Sequence, residues 1–188
     1  MQEMTGFRKT ISLTLALALL PVSCTKESRE LMYAKQETKI ESFVKSQQKS
    51  NPDARVVYNG GSTRVVVNEG TGVEVTARGK VSVYYAGFNF TDGSVSQSTL
   101  FVTNNPSFAA SMGWHLTGEE EAEEGPMEMD LTDRDLLLGL RQGLEGVKEG
   151  EECYILFSGK YAFGKSRIGT IPANSPLAFR VWVQNVEN

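Results

Sequence analysis

The alternation of β-branched or aromatic residues with polar ones, which begins at Arg55, most constrains what this chain can fold into. The segments RVVY, TRVVVNEG and KVSVYYAGFNF show a period of two, and CYILF and LAFRVWVQNV add two further apolar runs. Such segments are typical of β-strands. Residues 59–61 (NGG) and 92–93 (DG) supply the turn residues that tight hairpins need. The sequence therefore predicts an antiparallel sheet.

One segment that follows the first three of these strands in the sequence has a helical period instead. Its apolar face consists of four leucines, namely Leu136, Leu137, Leu140 and Leu144. Thr132, followed three residues later by Asp135, predicts a capping box at the start of the helix, and Gly146 suits its end. A single helix among several antiparallel strands favours an α+β fold.

A second helix is predicted ahead of the strands, over residues 30–46, where apolar residues recur at helical spacing. Two interpretations remain open for it. It is an arm that holds the domain off a membrane or forms a dimer, or it packs on its own domain. A small helical piece is also expected at residues 107–114, and the acidic run at 118–125 is expected to be a solvated loop.

The N-terminus has the features of an export signal. Arg8 and Lys9 precede the apolar run ISLTLALALL, which is too short for a membrane span of about 20 residues but suits a signal peptide. The following PVSC places a small residue before Cys24, as in a bacterial lipobox. The alternative is a short buried helix with a core cysteine.

These features predict a lipoprotein signal peptide at 1–23, a lipid on Cys24 and an anchor in the membrane. The expected location is the outer membrane, facing the periplasm or the cell surface. The rest divides into an N-terminal helical arm at 24–54 and a domain at 55–188 with an insertion at about 104–134. With Cys24 lipidated, only Cys153 remains, so no intramolecular disulfide is expected.

Charge and motif content exclude several function classes. The chain has a net charge of −4, and removal of residues 1–23, which carry one glutamate, one arginine and one lysine, gives −4 − 1 = −5. A mildly acidic chain without a basic patch is not typical of nucleic-acid binding. His115 is the single histidine, and no phosphate-binding loop or paired CxxC motif occurs. The sequence therefore predicts no metal and no cofactor.

Four motifs, in order, resemble those of the FKBP-type peptidyl-prolyl isomerases. They are VYYAGFNFTDG, LLLGLRQGLEGVKEGEE, YAFG and GTIPANSPLAF, and the resemblance covers residues 65–186. The chain also resembles the exported lipoprotein members of this family in Gram-negative bacteria. The resemblance implies an FKBP-like antiparallel sheet wrapped on one short helix, with an extra N-terminal helix. It further implies isomerase activity on X–Pro-containing polypeptides, without a cofactor.

The resemblance also implies the site residues. The catalytic set is Tyr85, Phe101, Phe163, Ile171 and Phe179, and the substrate-binding set is Met127, Leu136, Leu137 and Leu140. In this family the backbone N–H at the position of Ile171 contacts the substrate carbonyl. Phe101 matches only if five residues are inserted after the DG turn, because a direct count places SQST at 96–99 there instead. We expect Phe101 to provide the wall, since an apolar pocket needs an aromatic ring.

Two departures from the family pattern affect the expected activity. Phe163 replaces the usual tyrosine, and Val102 replaces the usual acidic residue. A second hypothesis is therefore a non-enzymatic FKBP-like chaperone or binding lipoprotein with weak or no isomerase activity. A third is a surface lipoprotein whose partner docks on the insertion at 104–134.

Overall fold

The computed structural model describes residues 22–114 and 125–188. Most of the predicted signal peptide, His115 and nearly all of the acidic run lie outside the described residues, as does the side chain of Cys24.

The described strands confirm the predicted antiparallel sheet. They are β1 (Arg55–Asn59), β2 (Ser62–Asn68), β3 (Thr71–Glu74), β4 (Lys80–Asn89), β5 (Leu100–Thr103), β6 (Met127–Asp130), β7 (Lys148–Glu149), β8 (Glu152–Phe157) and β9 (Leu177–Glu187). The main sheet has the order β1-β2-β8-β9-β4-β5, with β6 also paired to β4, and β3 and β7 form a separate ribbon. The predicted DG turn lies in the connection from β4 to β5, where Gly93 has φ = 75°.

Both faces of the sheet are covered, which explains why its strands are apolar on alternate and often on adjacent positions. In β9, Phe179, Val181 and Val183 pack into the core on one face. Ala178 and Trp182 pack on the opposite face, as the two-residue period of a strand requires. The short helix α3 (Leu138–Leu144) covers the first face, and α1 (Val22–Ser50) and α2 (Pro106–Ser111) cover the second.

The predicted capping box of α3 is wrong. The N–H and hydroxyl of Thr132 both donate to Asp130 Oδ1, at 2.8 and 2.6 Å, and the N–H of Asp135 donates to Asp133 Oδ1 at 2.8 Å. These local bonds hold the segment in turns, because a short polar side chain competes with the helix for backbone donors. The helix therefore begins six residues after Thr132, at Leu138. Its end agrees with the sequence, since Gly146 follows the last turn with φ = 80°.

The N-terminal helix α1 packs on its own domain. Ile40 and Val44 are buried, and the ring of Phe43 meets Phe90 and Tyr154 edge-on at centroid distances of 5.5 and 5.3 Å. The contacts favour the packed interpretation over a free arm, and the helix is longer than the predicted 30–46. Dimerisation through its outer face stays a prediction. No described helix has the length and apolarity that crossing a membrane requires.

The insertion at 104–134 contributes to the body of the domain at both of its ends. In α2, Phe108 packs against Phe88 and Trp182 at centroid distances of 6.1 and 5.2 Å. The side chain of Asn105 caps this helix by accepting the N–H of Phe108 at 3.0 Å. The first part of the insertion thus covers the sheet face opposite α3, and β6 extends the sheet beside β4.

Candidate functional site

A cluster of aromatic rings occupies the sheet face under α3. Phe179 lies at its centre, with the ring centroids of Tyr85, Phe101 and Phe157 at 6.3, 6.1 and 6.0 Å. Phe157 stacks on Phe179, whereas Phe101 meets it edge-on. Phe179 is buried, and Tyr85 and Phe101 are half-buried, so the outer edges of these two rings face solvent; we call this solvent-facing side of the rings the hollow. We call these four residues the ring cluster.

Gly87 makes the close approach of these rings possible. It faces Phe179 across the β4–β9 pair. A Cβ atom at this position would lie 2.8 Å from Phe101 Cζ and 3.0 Å from Phe179 Cε1, so a larger residue would force these rings to shift. Gly87 was not among the site residues expected from the sequence. A glycine inside a strand is the signal that could have found it, because such a glycine often marks the close approach of other groups.

The helix α3 forms one wall of the hollow and lies very close to the sheet. A Cβ at Gly139 would lie 2.2 Å from Phe157 Cγ, so only glycine allows this contact. Leu140 is buried in the core beside the ring cluster, and Leu136 and Leu137 pack against the same core while half-exposed. The structure thus brings the three predicted leucines to the core that contains the ring cluster.

The connection from β8 to β9 packs beside α3 on the same core. We call residues 159–174 the pocket loop. Phe163 is half-buried and packs on the core that contains the ring cluster, and Ile171 is buried within it. The N–H of Gly139 donates to Tyr161 O at 3.0 Å and so ties α3 to this loop.

The backbone of Ile171 does not fit its predicted role as a carbonyl-binding donor. Its N–H already donates to Ile168 O at 2.8 Å, and the N–H of Ile168 donates back to Ile171 O at 3.1 Å. Among the described residues, the N–H of Leu137 at the start of α3 has no hydrogen-bond acceptor. An N–H at a helix start has no partner inside the helix, so the N–H of Leu137 is a candidate donor in place of that of Ile171.

The structure places Phe101, and not the SQST segment, in the hollow. Gln97 lies in an exposed short 3-10 turn that precedes β5. Asn104, which the sequence analysis did not single out, ties the end of β5 to β4. Its Oδ1 accepts the N–H of Tyr85 at 2.7 Å, and its Nδ2 donates to Val83 O at 3.1 Å. A polar residue after a short apolar strand is too common a pattern to predict this role.

Met127 lies apart from the other predicted site residues. It begins β6 with 42% of its surface exposed and is not packed on the ring cluster, whereas Met129, on the same face of the strand, is buried. The other eight of the nine predicted catalytic and substrate-binding residues belong to, or pack against, the core that contains the ring cluster.

The hollow is apolar, and this limits its chemistry. Within residues 22–114 and 125–188, no group of three histidine, cysteine or carboxylate side chains is placed to hold a metal ion. None of the eight residues around the hollow carries a charge. Such a site can remove water from a bound group and offer it a backbone donor, and none of its eight side chains is a carboxylate or an imidazole that could serve as a general base.

A model of one protein family matches residues 72–184, which is more than half of the chain. Its description is FKBP-type peptidyl-prolyl cis-trans isomerase. The chain belongs to this family.

Individual relatives agree with this assignment. FK506-binding protein 1 of Aspergillus oryzae is 24% identical over 121 residues, which cover 64% of this chain and 94% of the relative. The FKBP-type peptidyl-prolyl cis-trans isomerase FkpA of Buchnera aphidicola is 33% identical over 55 residues, which cover 29% of this chain and 22% of the relative.

Solved structures show the same fold. FkpA from Escherichia coli is 22% identical with a TM-score of 0.53, and the match covers 88% of this chain and 65% of that one. A peptidyl-prolyl cis-trans isomerase from Pseudomonas syringae is 18% identical with a TM-score of 0.53, and the match covers 82% of this chain and 95% of that one. The FKBP fold therefore includes most of the described residues.

Proposed function

We propose that the hollow around Phe179 isomerises X–Pro peptide bonds of exported polypeptides without a cofactor. The observation that carries this proposal is the ring cluster, because half-buried aromatic edges surround a buried ring on a family-typical sheet. The proline ring of a substrate would enter this hollow and contact Tyr85, Phe101 and Phe163. The buried Phe179 would form its base.

The physics of amide rotation explains why an apolar site is sufficient. Rotation about the bond loses amide resonance and meets a barrier of about 18–20 kcal/mol. The twisted amide has less charge separation than the planar one. Transfer from water to an apolar hollow therefore costs the planar ground state more than the twisted transition state. The N–H of Leu137 would hold the carbonyl of the substrate while the bond turns.

The experiment is an X–Pro peptide isomerase assay on the purified protein. Tyr85→Ala and Phe101→Ala are expected to lower kcat/KM by about tenfold or more, since each removes a large apolar contact from the hollow. Tyr58→Ala is the matched control, because Tyr58 is 62% exposed on the distant edge strand β1. This control is expected to keep kcat/KM within about twofold of the unchanged protein.

The carbonyl donor can be tested at Leu137 in the same assay. Its φ of −51° lies within the range of proline, so Leu137→Pro deletes the N–H with little change of backbone. Leu137→Ala is the control for the lost side chain. We expect the proline variant to be about tenfold less active than the alanine variant, as for loss of one hydrogen bond made in the transition state.

The assay also separates the proposal from its alternative. Rates equal to those in buffer, together with suppressed aggregation of an unfolded model protein, would support the non-enzymatic chaperone and overturn the isomerase. The replacement of the usual tyrosine and acidic residue by Phe163 and Val102 favours a slow enzyme over a fast one, because a hydroxyl and a carboxylate of the family pattern are missing.

The exported setting is part of the proposal. Its support is the signal-like run before Cys24 and the small residue that precedes this cysteine. A lipid on Cys24 would place the domain at the outer membrane, on the periplasmic side or at the cell surface. Its clients would be X–Pro-containing chains that fold after export.

A further inference from the structure

The two ends of the pocket loop meet on a side chain of the N-terminal helix. Gln36 Nε2 donates to Asn174 O at 2.8 Å, and Gln36 Oε1 accepts the N–H of Gly159 at 2.9 Å. Gln36 is only 8% exposed. Both partners are backbone groups with a fixed direction of donation, so the orientation of the amide is determined by its contacts.

The base of the pocket loop is a tight contact between backbone segments. A Cβ at Gly159 would lie 2.1 Å from Asn174 O. The N–H of Asn174 donates to Gly164 O, and the N–H of Gly164 donates to Gly159 O at 3.1 Å. Asn174 has φ = 58°, a value that residues other than glycine rarely adopt. Its Oδ1 accepts the hydroxyl of Tyr33, also on α1, at 2.8 Å.

This arrangement requires an amide at position 36. The two backbone groups that it joins are one donor and one acceptor, and a glutamine satisfies both within one planar group. A carboxylate would keep the contact with Gly159 but would face Asn174 O without a proton to share. An apolar side chain would leave the buried N–H of Gly159 and the partly buried Asn174 O unpaired, and for the buried N–H the cost is larger than that of the lost bond alone.

We propose that Gln36 is a positioning residue of the isomerase site: it closes the base of the pocket loop and so holds Phe163 and Ile171 against the ring cluster. This inference rests on the proposed function. It gives α1 a role in catalysis beyond covering the sheet, because the helix fixes one wall of the hollow. A wall that moves by even an ångström stabilises the twisted X–Pro bond of the substrate less well.

The test compares Gln36→Met with Gln48→Met. The two substitutions are chemically identical and lie on the same helix, but Gln48 is exposed. We expect Gln36→Met to lower kcat/KM by about tenfold at a temperature where thermal unfolding shows the variant folded. Gln48→Met is expected to stay within about twofold of the unchanged protein. Gln36→Glu should give an intermediate loss, since one of the two contacts persists.

Amide hydrogen exchange separates positioning from general stability. In Gln36→Met, the amides of Gly164 and Asn174 are expected to exchange about tenfold faster, while those in the middle of α1 keep their rates. A purely structural role would lower the melting temperature and accelerate exchange in the loop and in α1 alike, with kcat/KM of the folded protein unchanged. That result would overturn the inference.

A double-mutant cycle adds a second criterion. If Gln36 acts through Phe163, then Gln36→Met is expected to cost little further activity in a Phe163→Ala background. Fully additive losses would contradict the inference. If the protein without any substitution has no isomerase activity, the proposed function is refuted, and the catalytic role of Gln36 with it. An active protein that tolerates Gln36→Met refutes only the role of Gln36.

Discussion

Replacement of Arg64 by methionine is expected to destabilise the domain by about 3–5 kcal/mol at neutral pH, as when one partner of a buried ion pair is removed. Arg64 lies on β2 and is 3% exposed. Its Nη1 donates to Gly143 O and Glu145 O at 2.9 and 2.8 Å, and its Nη2 donates to Gly146 O at 3.1 Å. Its Nε lies 3.3 Å from Glu151 Oε1. The guanidinium thus binds three carbonyls at and just after the end of α3 and lies beside the buried carboxylate of Glu151.

The loss of stability caused by Arg64→Met is expected to grow with pH, and the direction of this dependence follows from the pKa of Glu151. Burial raises the pKa of Glu151 above its ordinary 4.5, although the charge of Arg64 lowers it in part. The folded state therefore keeps the proton to a higher pH than the unfolded state. Stability falls as pH rises from 4.5 through the raised folded pKa, by at most about 1.4 kcal/mol per pH unit for one proton. Without Arg64 the pKa of Glu151 in the folded state rises further, so the pH range over which stability falls becomes wider.

The measurement is urea unfolding at about pH 5, about pH 6.5 and about pH 8, monitored by the fluorescence of Trp114 and Trp182. Arg78→Met is the matched control, because Arg78 is exposed and its loss should cost less than about 0.5 kcal/mol. Arg64→Met with Glu151→Leu should be more stable at the highest pH than Arg64→Met alone, since no charge is left buried. A loss below about 1 kcal/mol, or one that does not grow with pH, would refute the reasoning.

Two further predictions concern the helix and the anchor. Gly139→Ala places a Cβ 2.2 Å from Phe157 Cγ, so we expect a loss of stability of about 1–3 kcal/mol by urea unfolding and reduced isomerase activity as α3 shifts; an unchanged midpoint would contradict the packing. Cys24→Ala is expected to move the protein from the membrane to the soluble fraction and to abolish incorporation of labelled fatty acid; unchanged partitioning and labelling would exclude the anchor.

The strands could be predicted from sequence, because they depend on local pattern. Alternation of apolar and polar residues repeats at every strand of the sheet. The order of four motifs led to Tyr85 and Phe179, which the structure places in one ring cluster. Phe101 needed a choice between two registers, and the choice that supplied an aromatic ring agrees with the structure.

The start of α3 and the carbonyl donor were not predictable in the same way. Thr132 and Asp135 fit a capping box by spacing, but their backbone N–H groups donate to the side chains of Asp130 and Asp133 instead. The N–H of Ile171 lies in the expected segment, yet it is already bonded across the loop. In both cases several acceptors compete for one donor, and spacing alone does not tell which acceptor is near.

By itself, the sequence determined the antiparallel strands, the family and the apolar character of the hollow, since these follow from residue type and order. Only the tertiary structure decided that α1 packs on the sheet and that Gln36 joins the two ends of the pocket loop. These contacts join residues more than 120 positions apart in the chain. No local pattern specifies such a pair, because the partners of Gln36 are backbone groups that any residue could supply.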